Sequence, residues 1–185
     1  MTKKAELFIV EGKSAESTLQ QAINKPDQSI LAIQGKLINV TKATPAKVYA
    51  NIECSKIFQT LDCGVGENCN PELLNYSRIL ILTDPDIDGA HTRALVLSFF
   101  DRYLRPLVDS GLVSVIVPPL FRISVKQTGQ VQYAWNEREY AQLIGELGTD
   151  NENVVTRFKG IAQFSQEECD QLFLNPDTRK QIVLV

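Results

Sequence analysis

The stretch ILILTDPDIDG (residues 79–89) decides the fold, because an apolar tetrapeptide runs directly into three aspartates at alternate positions. Four consecutive residues of this kind are typical of a strand buried on both faces of a parallel sheet. The residues that follow, from about 89 to 109, predict a long helix that ends at Ser110-Gly111. A buried strand, an acidic turn and a helix in this order indicate an α/β unit.

Three other apolar runs repeat this pattern and predict buried strands, at residues 7–10, 30–33 and 113–117. Helices are expected between them: one capped by Ser14, and one from about 45 to 61 capped by Thr44. Strands alternating with helices favour parallel pairing. We therefore predict an α/β fold with a parallel four-stranded sheet and helices on both faces.

After residue 120 the pattern changes. Residues 121–125 and 131–135 predict a hairpin, and 154–158 a further strand. Asn136 and Ser165 are expected to cap two helices that end at about Leu147 and Leu174. We accordingly divide the chain into a core at residues 1–125 and a C-terminal α+β extension at residues 126–185.

Composition excludes several classes of protein. The 185 residues are 44% hydrophobic and 22% charged, which excludes disordered and fibrous chains. No apolar run approaches the roughly 20 residues of a membrane span, and we expect no membrane partner. Four cysteines without a secretion signal favour a cytoplasmic protein. The net charge of -3 disfavours a protein that holds nucleic acid through a basic surface alone.

Acidic residues follow two of the predicted strands. Glu11 ends the first, while Asp84, Asp86 and Asp88 follow the third. In an extended segment these three aspartates would face the same way, and such carboxylates repel unless a cation neutralises them. All-oxygen ligands select Mg²⁺, or Mn²⁺, over zinc. The alternative is structural: Asp84 and Asp88 would merely end a strand and cap a helix.

A calcium-binding EF-hand loop begins with the same spacing of aspartates. It requires a glutamate at its twelfth position, where this chain has Leu95 within an apolar stretch. The acidic stretch is therefore not an EF-hand.

Motifs along nearly the whole chain resemble the TOPRIM region of the B subunit of bacterial type IIA DNA topoisomerases, the family of DNA gyrase and topoisomerase IV. The matching motifs are LFIVEGKSA (7–15), IQGKLINVTKA (33–43), LDCGVG (61–66), ILILTDPDIDGAHTRALVLSFF (79–100), PPLFRI (118–123), RFKG (157–160) and NPDTRK (175–180). Their order and spacing make the match specific, and it implies the Rossmann-like TOPRIM fold.

The resemblance implies roles for individual residues. Glu11 corresponds to a metal-binding glutamate that also serves as general acid or base for the ribose oxygen. Asp84 and Asp86 correspond to a Mg²⁺-binding pair, with Asp88 as a third acid. Lys36 matches a lysine near the DNA backbone. DNA contacts are further expected from three residues near the acids, namely Lys13, His91 and Arg93.

The family's reaction is reversible transesterification, in which a tyrosine of the partner A subunit attacks a DNA phosphodiester. The resemblance therefore implies that this chain binds DNA and an A subunit and supplies the metal site. We expect no nucleophilic tyrosine and no ATP site in these residues, and so no activity by the chain alone. Two alternatives stay open: a stand-alone TOPRIM module that regulates or protects a topoisomerase, and a Mg²⁺-dependent nuclease.

Two departures from the family's motifs bear on this prediction. Lys13 stands where the family has an aspartate, next to the expected metal site. Residues 160–164 read Gly-Ile-Ala-Gln-Phe where the family has Gly-Leu-Gly-Glu-Met, so one glycine and one acid are lost. The sequence leaves the function of this loop open.

Overall fold

The computed structural model describes residues 4–23, 25–147 and 153–185. At its centre, strand β1 (Lys4–Glu11) pairs in parallel with β2 (Gln28–Ile33) on one side and β3 (Tyr76–Leu82) on the other. Strand β4 (Val113–Ile116) extends the sheet in parallel beyond β3. The four predicted parallel strands are confirmed.

A fifth strand completes this sheet and was not predicted. Strand β8 (Gln181–Val183) pairs antiparallel with β4, which makes the strand order β2-β1-β3-β4-β8. Two of its residues, Ile182 and Val183, are exposed. A short edge strand of this kind lacks the run of four apolar residues that predicted the other strands.

Helices cover both faces of the sheet, as predicted. The α-helices are α1 (Gly12–Ala22), α2 (Pro45–Ala50), α3 (Ile52–Leu61), α4 (Ile87–Tyr103), α5 (Arg105–Asp109), α6 (Glu137–Leu147) and α7 (Gln166–Cys169), and a π-helical turn (Asp170–Leu174) continues α7. Alternate residues of β1 lie on opposite faces of the sheet and pack against different helices. Leu7 and Ile9 pack in the cluster that includes the α4 residue Phe99, whereas Phe8 and Val10 pack in the one that includes the α1 residue Leu19.

Two predicted helices are interrupted. The helix expected from 45 to 61 breaks at Asn51, whose side chain instead caps α3 by accepting a hydrogen bond from the Cys54 N–H at 3.0 Å. The helix expected from 89 to 109 begins at Ile87 and breaks at Leu104. Pro106 has no N–H to donate to a carbonyl of the preceding turn, which explains why α4 does not run on into α5.

The predicted cap at Ser14 is wrong, because α1 begins directly at Gly12, which has a φ of 80°. A glycine adopts this left-handed conformation without steric cost. The chain therefore turns from strand to helix at once, and Glu11 occupies the N-cap position. The expected cap at Thr44 makes no side-chain capping bond either.

The remaining strands form a second, antiparallel sheet. Its order is β6-β5-β7, with β5 spanning Phe121–Val125, β6 Val131–Ala134 and β7 Asn153–Arg157. The predicted hairpin and strand are confirmed, as are the caps at Asn136 and Ser165. From the end of β7 the chain returns to the main sheet, where Phe158 and Ile161 are buried in the same cluster as Phe8.

Within the described ranges, no helix is long and apolar enough to cross a membrane. The four cysteines (Cys54, Cys63, Cys69 and Cys169) are buried and free.

Candidate active site

The ends of two neighbouring parallel strands place the predicted acids at one edge of the sheet. In the pairing of β1 with β3, Val10 lies opposite Leu82. Glu11 is the next residue of one strand, and Thr83-Asp84 follow the other. Ligands of open α/β sheets bind at this carboxyl edge.

Glu11 is half-buried, and its two carboxylate oxygens have different surroundings. Oε1 accepts a hydrogen bond of 2.9 Å from the hydroxyl of Thr92, a fully buried residue of α4. Oε2 is buried and has no hydrogen-bond partner among the described residues. Burial raises the pKa of Glu11, and the negative charges of Asp84 and Asp86 raise it further, against the lowering effect of the Thr92 bond. Glu11 therefore lies within electrostatic range of Asp84 and Asp86.

Asp84 is held by the loop that follows β7. Its Oδ1 accepts a hydrogen bond of 2.8 Å from the backbone N–H of Ile161. Burial raises the pKa of Asp84, and the charge of Asp86 adds to this, against the lowering effect of the Ile161 N–H. A Cβ on Gly160 would lie 3.4 Å from the same oxygen, so the backbone of this loop fits directly against the carboxylate.

Asp86 caps α4 by accepting a hydrogen bond of 2.8 Å from the N–H of Gly89. This cap requires a glycine at position 89, where a Cβ would lie 2.1 Å from the backbone oxygen of Asp84. The Asp86 carboxylate is thus fixed at a helix N-terminus, where negative charge is stabilised.

Asp88 does not follow the extended geometry that the alternating aspartates predicted, because it lies in the first turn of α4. Its exposed carboxylate binds the ammonium group of Lys36 at 2.7 Å, and this hydrogen bond lowers its pKa. Helical backbone from Ile87 onward turns Asp88 away from the direction that an extended strand would give. Its role as a third metal ligand stays a prediction.

The acids fit a hard divalent cation, although no set of three acidic, histidine or cysteine side chains in the described part of the chain is already arranged around a metal position. Glu11, Asp84 and Asp86 each use one oxygen for a protein donor. The buried and unpartnered Oε2 of Glu11 is an acceptor without a donor, which is costly unless a ligand satisfies it. Carboxylate oxygens are the donors that Mg²⁺ prefers.

The basic residues predicted to contact DNA have different surroundings. Lys36 is exposed and bound to Asp88, while Lys13 and His91 are exposed and form no ion pair with any described residue. Arg93 is half-buried, and burial lowers the pKa of its guanidinium. Lys36 also feels the charges of Glu11 and Asp86, which links it to the acidic edge.

The loop that departs from the family's motif has a defined structure. Residues Ile161–Gln163 form a single 3₁₀ turn. The side-chain oxygen of Gln163 accepts hydrogen bonds from the N–H groups of Lys159 and of Gly160, the latter at 3.2 Å. An amide oxygen accepts these bonds as a carboxylate would, so replacement of the acid leaves the turn closed next to Asp84.

Three residues that support the acids were not predicted: Thr92, Gly160 and Ile161. Gly160 and Ile161 act through their backbone, which leaves no side-chain signal in a sequence. Thr92 did leave one, since it shares a helix face with buried Leu95, Val96 and Phe99 at the spacing i+3, i+4 and i+7. A hydroxyl on such an apolar stripe needs a partner, and here the partner is Glu11.

A protein-family model and curated proteins match this sequence. The Toprim domain family model matches residues 6–116. The chain is 38% identical over 183 residues to the B subunit of DNA topoisomerase 4 from Enterococcus faecalis (strain ATCC 700802 / V583), a match that covers 97% of this chain and 26% of that protein. It is also 38% identical to the B subunit of DNA topoisomerase 4 from Staphylococcus aureus (strain MW2), covering 98% of this chain and 27% of the relative.

These matches confirm the resemblance to topoisomerase B subunits that the motifs indicated. The chain spans about a quarter of the length of the curated relatives it matches. The matched family model covers more than half of the chain and contains all four predicted acids. The chain belongs to the Toprim domain family.

Proposed function

We propose that this chain is the Mg²⁺-binding part of a type IIA DNA topoisomerase B subunit and supports reversible cleavage of DNA by a tyrosine of the A subunit. The observation that carries the proposal is the unpartnered, buried Oε2 of Glu11 beside Asp84 and Asp86, at the carboxyl edge of a Toprim sheet. Glu11, Asp84 and Asp86 would hold the metal, and Asp88 would be a further acid near it.

When bound, Mg²⁺ supplies positive charge to the phosphoryl oxygens and to the departing ribose oxygen. Glu11 is assigned the transfer of a proton to or from that oxygen. The Thr92 hydroxyl holds one oxygen of this carboxylate, and the other has no hydrogen-bond donor among the described residues. The loop at Gly160-Ile161 and the N-terminus of α4 hold Asp84 and Asp86 in place.

Lys36 would contribute charge to the DNA phosphates. In this structure its ammonium group binds Asp88, and both side chains are exposed. An exposed ion pair of this kind contributes little stability, so its exchange for a phosphate contact costs little. Lys13, His91 and Arg93 are proposed as further DNA contacts around the same edge.

The attacking group would come from the partner. The chain's tyrosines are Tyr49, Tyr76, Tyr103, Tyr133 and Tyr140. The hydroxyl of Tyr133, for example, donates a hydrogen bond to Glu168, so this side chain has a structural role. We therefore propose that the chain acts only in a complex with an A subunit and DNA, and that ATP is bound outside these residues.

The experiment that tests this function mixes the chain with a topoisomerase IV A subunit and supercoiled plasmid, with and without Mg²⁺, and stops the reaction with detergent and protease. We expect linear DNA only when all components and Mg²⁺ are present. Asp86→Asn should abolish it, whereas Asp177→Asn, at an exposed position, should not. Metal binding without cleavage would favour the regulatory module, and nicking by the chain alone would favour the nuclease.

A further inference from the structure

Two cysteines in the loop between α3 and β3 have no role in the function proposed above. Cys63 and Cys69 are both buried and free, and their sulfur atoms lie 4.0 Å apart. A disulfide bond requires two sulfurs to approach to about 2.05 Å. The pair is therefore one short side-chain movement away from the distance of a covalent bond.

The backbone of the loop already holds the two cysteines side by side. The carbonyl oxygen of Cys63 accepts a hydrogen bond of 2.7 Å from the N–H of Asn70, which closes the loop at its ends. Gly64 has a φ of 84°, and a Cβ there would lie 2.1 Å from the backbone oxygen of Asn68. We therefore expect bond formation to need rotation of the two side chains and not rearrangement of the loop.

The other two cysteines are placed differently. Cys54 belongs to α3 and packs in the buried cluster that also contains Cys63 and Cys69. Cys169 belongs to α7 and packs in the cluster on the other face of the sheet. The sulfur contact at 4.0 Å joins one pair among the four cysteines, all of which lie within the described ranges.

The two thiols of the pair differ in exposure and in acidity. Cys63 is fully buried, whereas 7% of Cys69 is exposed. Burial raises the pKa of both thiols, that of Cys63 to about 12. The hydrogen bond between them lowers the pKa of Cys69, because the S–H of Cys63 stabilises a thiolate there. Cys69 is therefore the sulfur that reacts first with a small oxidant, and its reaction is slow because little of it is thiolate at neutral pH.

We propose that Cys63 and Cys69 are a modification site at which hydrogen peroxide forms a disulfide within the loop. The Cys69 thiolate attacks one peroxide oxygen, so that the O–O bond breaks, hydroxide leaves and Cys69 becomes a sulfenic acid. The sulfur of Cys63 then attacks the sulfenic sulfur, an S–S bond forms, the S–O bond breaks and the oxygen leaves as water. In total the two thiols lose two electrons, and the peroxide takes up both thiol protons and becomes two water molecules.

The bond would stabilise the fold and is independent of the proposed metal site. The loop precedes β3 in the chain, whereas Asp84 and Asp86 follow that strand. A cross-link between residues 63 and 69 restricts the unfolded chain, which favours the folded one. We therefore expect the midpoint of urea unfolding to be about 1 M higher in the oxidised chain than in the reduced one.

Peptide mapping after peroxide treatment tests the proposal on the wild-type chain. The folded chain is treated with millimolar hydrogen peroxide, its free thiols are alkylated in denaturant, and it is digested with trypsin. Cleavage after Lys56 and Arg78 gives a peptide, residues 57–78, that contains Cys63 and Cys69 and no other cysteine. We expect this peptide to carry two alkyl groups before oxidation and none after it, and we expect dithiothreitol to restore both.

Single substitutions test the order of the two steps. In Cys63→Ser the second thiol is missing, so the sulfenic acid on Cys69 should persist and react with dimedone. In Cys69→Ser the remaining Cys63 should stay unlabelled by dimedone. Cys54→Ser removes an equally buried thiol and is the matched control, which should form the disulfide as the wild-type chain does.

A wild-type peptide 57–78 that keeps both alkyl groups after peroxide treatment would overturn the proposal. So would a bond from either cysteine to Cys54 or Cys169, or sulfinic acid in place of the disulfide. Dimedone labelling of Cys63 in the Cys69→Ser variant would overturn the assignment of Cys69 as the attacking sulfur. A lower urea midpoint in the oxidised chain would show that the loop does not accept the bond in its native conformation.

Discussion

Thr92 donates its hydroxyl to Glu11 across 2.9 Å, which ties the first turns of α4 to the end of β1 over 81 residues of sequence. Thr92 is fully buried, whereas Glu11 is half-buried. The bond fixes the orientation of the Glu11 carboxylate and leaves its other oxygen, Oε2, without a hydrogen-bond donor among the described residues.

Thr92→Val keeps the shape of the side chain and removes the donor, so it tests this bond. The net contribution of a hydrogen bond to stability or binding is about 1 kcal/mol, and the loss of this free energy corresponds to about a five-fold lower affinity. We expect Mn²⁺ to bind about five-fold more weakly, and the free energy of unfolding to fall by about 1 kcal/mol. Calorimetric titration and urea denaturation measure the two.

Thr92→Ser restores the hydroxyl and is the matched control. It should bind Mn²⁺ as the wild-type chain does, even though loss of a buried methyl group lowers its stability by about 1 kcal/mol. Equal Mn²⁺ affinity in the valine variant and the wild-type chain would show that Thr92 does not position Glu11.

A substitution at Gly160 should change metal binding at the site without changing the stability of the fold. Its backbone is extended, with φ -155° and ψ 156°, so alanine is allowed there. The added methyl group would lie 3.4 Å from Asp84 Oδ1, an ordinary contact that nevertheless removes solvent or ligand space at the carboxylate. We expect Gly160→Ala to unfold within about 0.5 kcal/mol of the wild-type chain but to bind Mn²⁺ measurably more weakly.

Two other glycines calibrate this result. Gly145→Ala, in α6 with nothing within 4 Å of its Cβ position, should increase stability by about 0.5–1 kcal/mol and leave Mn²⁺ binding unchanged. Gly89→Ala should cost about 3 kcal/mol, because its Cβ would lie 2.1 Å from the backbone oxygen of Asp84. A Gly160→Ala variant with full Mn²⁺ affinity would contradict the placement of this loop against the site.

Gln163 is expected to keep the loop closed. In Gln163→Ala the N–H groups of Lys159 and Gly160 lose their acceptor, so the turn that presents the Ile161 N–H to Asp84 loosens. We expect hydrogen exchange of the Ile161 amide to accelerate at least ten-fold. Gln163→Glu restores an acceptor oxygen and should leave that rate within two-fold of the wild-type value. An unchanged rate in the alanine variant would show that the turn does not depend on this side chain.

The buried pair of Glu6 and Arg179 predicts a pH dependence of stability far from the site. Arg179 is fully buried and binds both carboxylate oxygens of Glu6, one of them at 2.9 Å. Burial raises the pKa of Glu6, but hydrogen bonds from Arg179 and Gln28 outweigh it and hold the pKa below its usual value of 4.5. A carboxyl group whose pKa is lower in the folded state stabilises the fold above its unfolded pKa, and this contribution is lost as the pH falls through the folded value.

Glu6→Gln leaves Arg179 buried without a countercharge, which typically costs about 3–5 kcal/mol. Urea denaturation should show this difference in full from pH 6 to 7, and the difference should shrink steadily below about pH 4.5. A difference between variant and wild type that stays constant down to pH 3 would contradict the assigned ionisation.

Most of the main sheet could be predicted because β3 and β4 are largely buried and β2, although only partly buried, carries the same kind of apolar run. The runs at 7–10, 30–33, 79–82 and 113–117 have no polar residue except Ser114, and parallel pairing follows from the helices between them. Strand β8 could not be predicted in this way, since three residues at an exposed edge carry no periodic pattern. Its place depends on the long-range pairing of Ile182 with Val115.

The acids of the candidate site could be predicted from the sequence, but their orientation could not. Strand ends locate Glu11 and Asp84, since parallel neighbours end at the same edge. Whether an aspartate lies in strand, cap or helix depends on where α4 begins, and the cap at Asp86 places Asp88 inside the helix, beside Lys36. Backbone donors such as the Ile161 N–H come from a segment 77 residues away, and only the fold reveals them.

Mn²⁺ binding measured by electron paramagnetic resonance tests the central claim most directly, because the spectrum reports free Mn²⁺ and its loss counts the bound ions. We predict saturable binding by the wild-type chain, competed by Mg²⁺, lost in Asp86→Asn and in Glu11→Gln, and retained in Asp177→Asn. A folded wild-type chain that takes up no Mn²⁺ at millimolar concentrations, or whose uptake is equal in all three variants, would contradict the assignment of Glu11, Asp84 and Asp86 to a divalent cation.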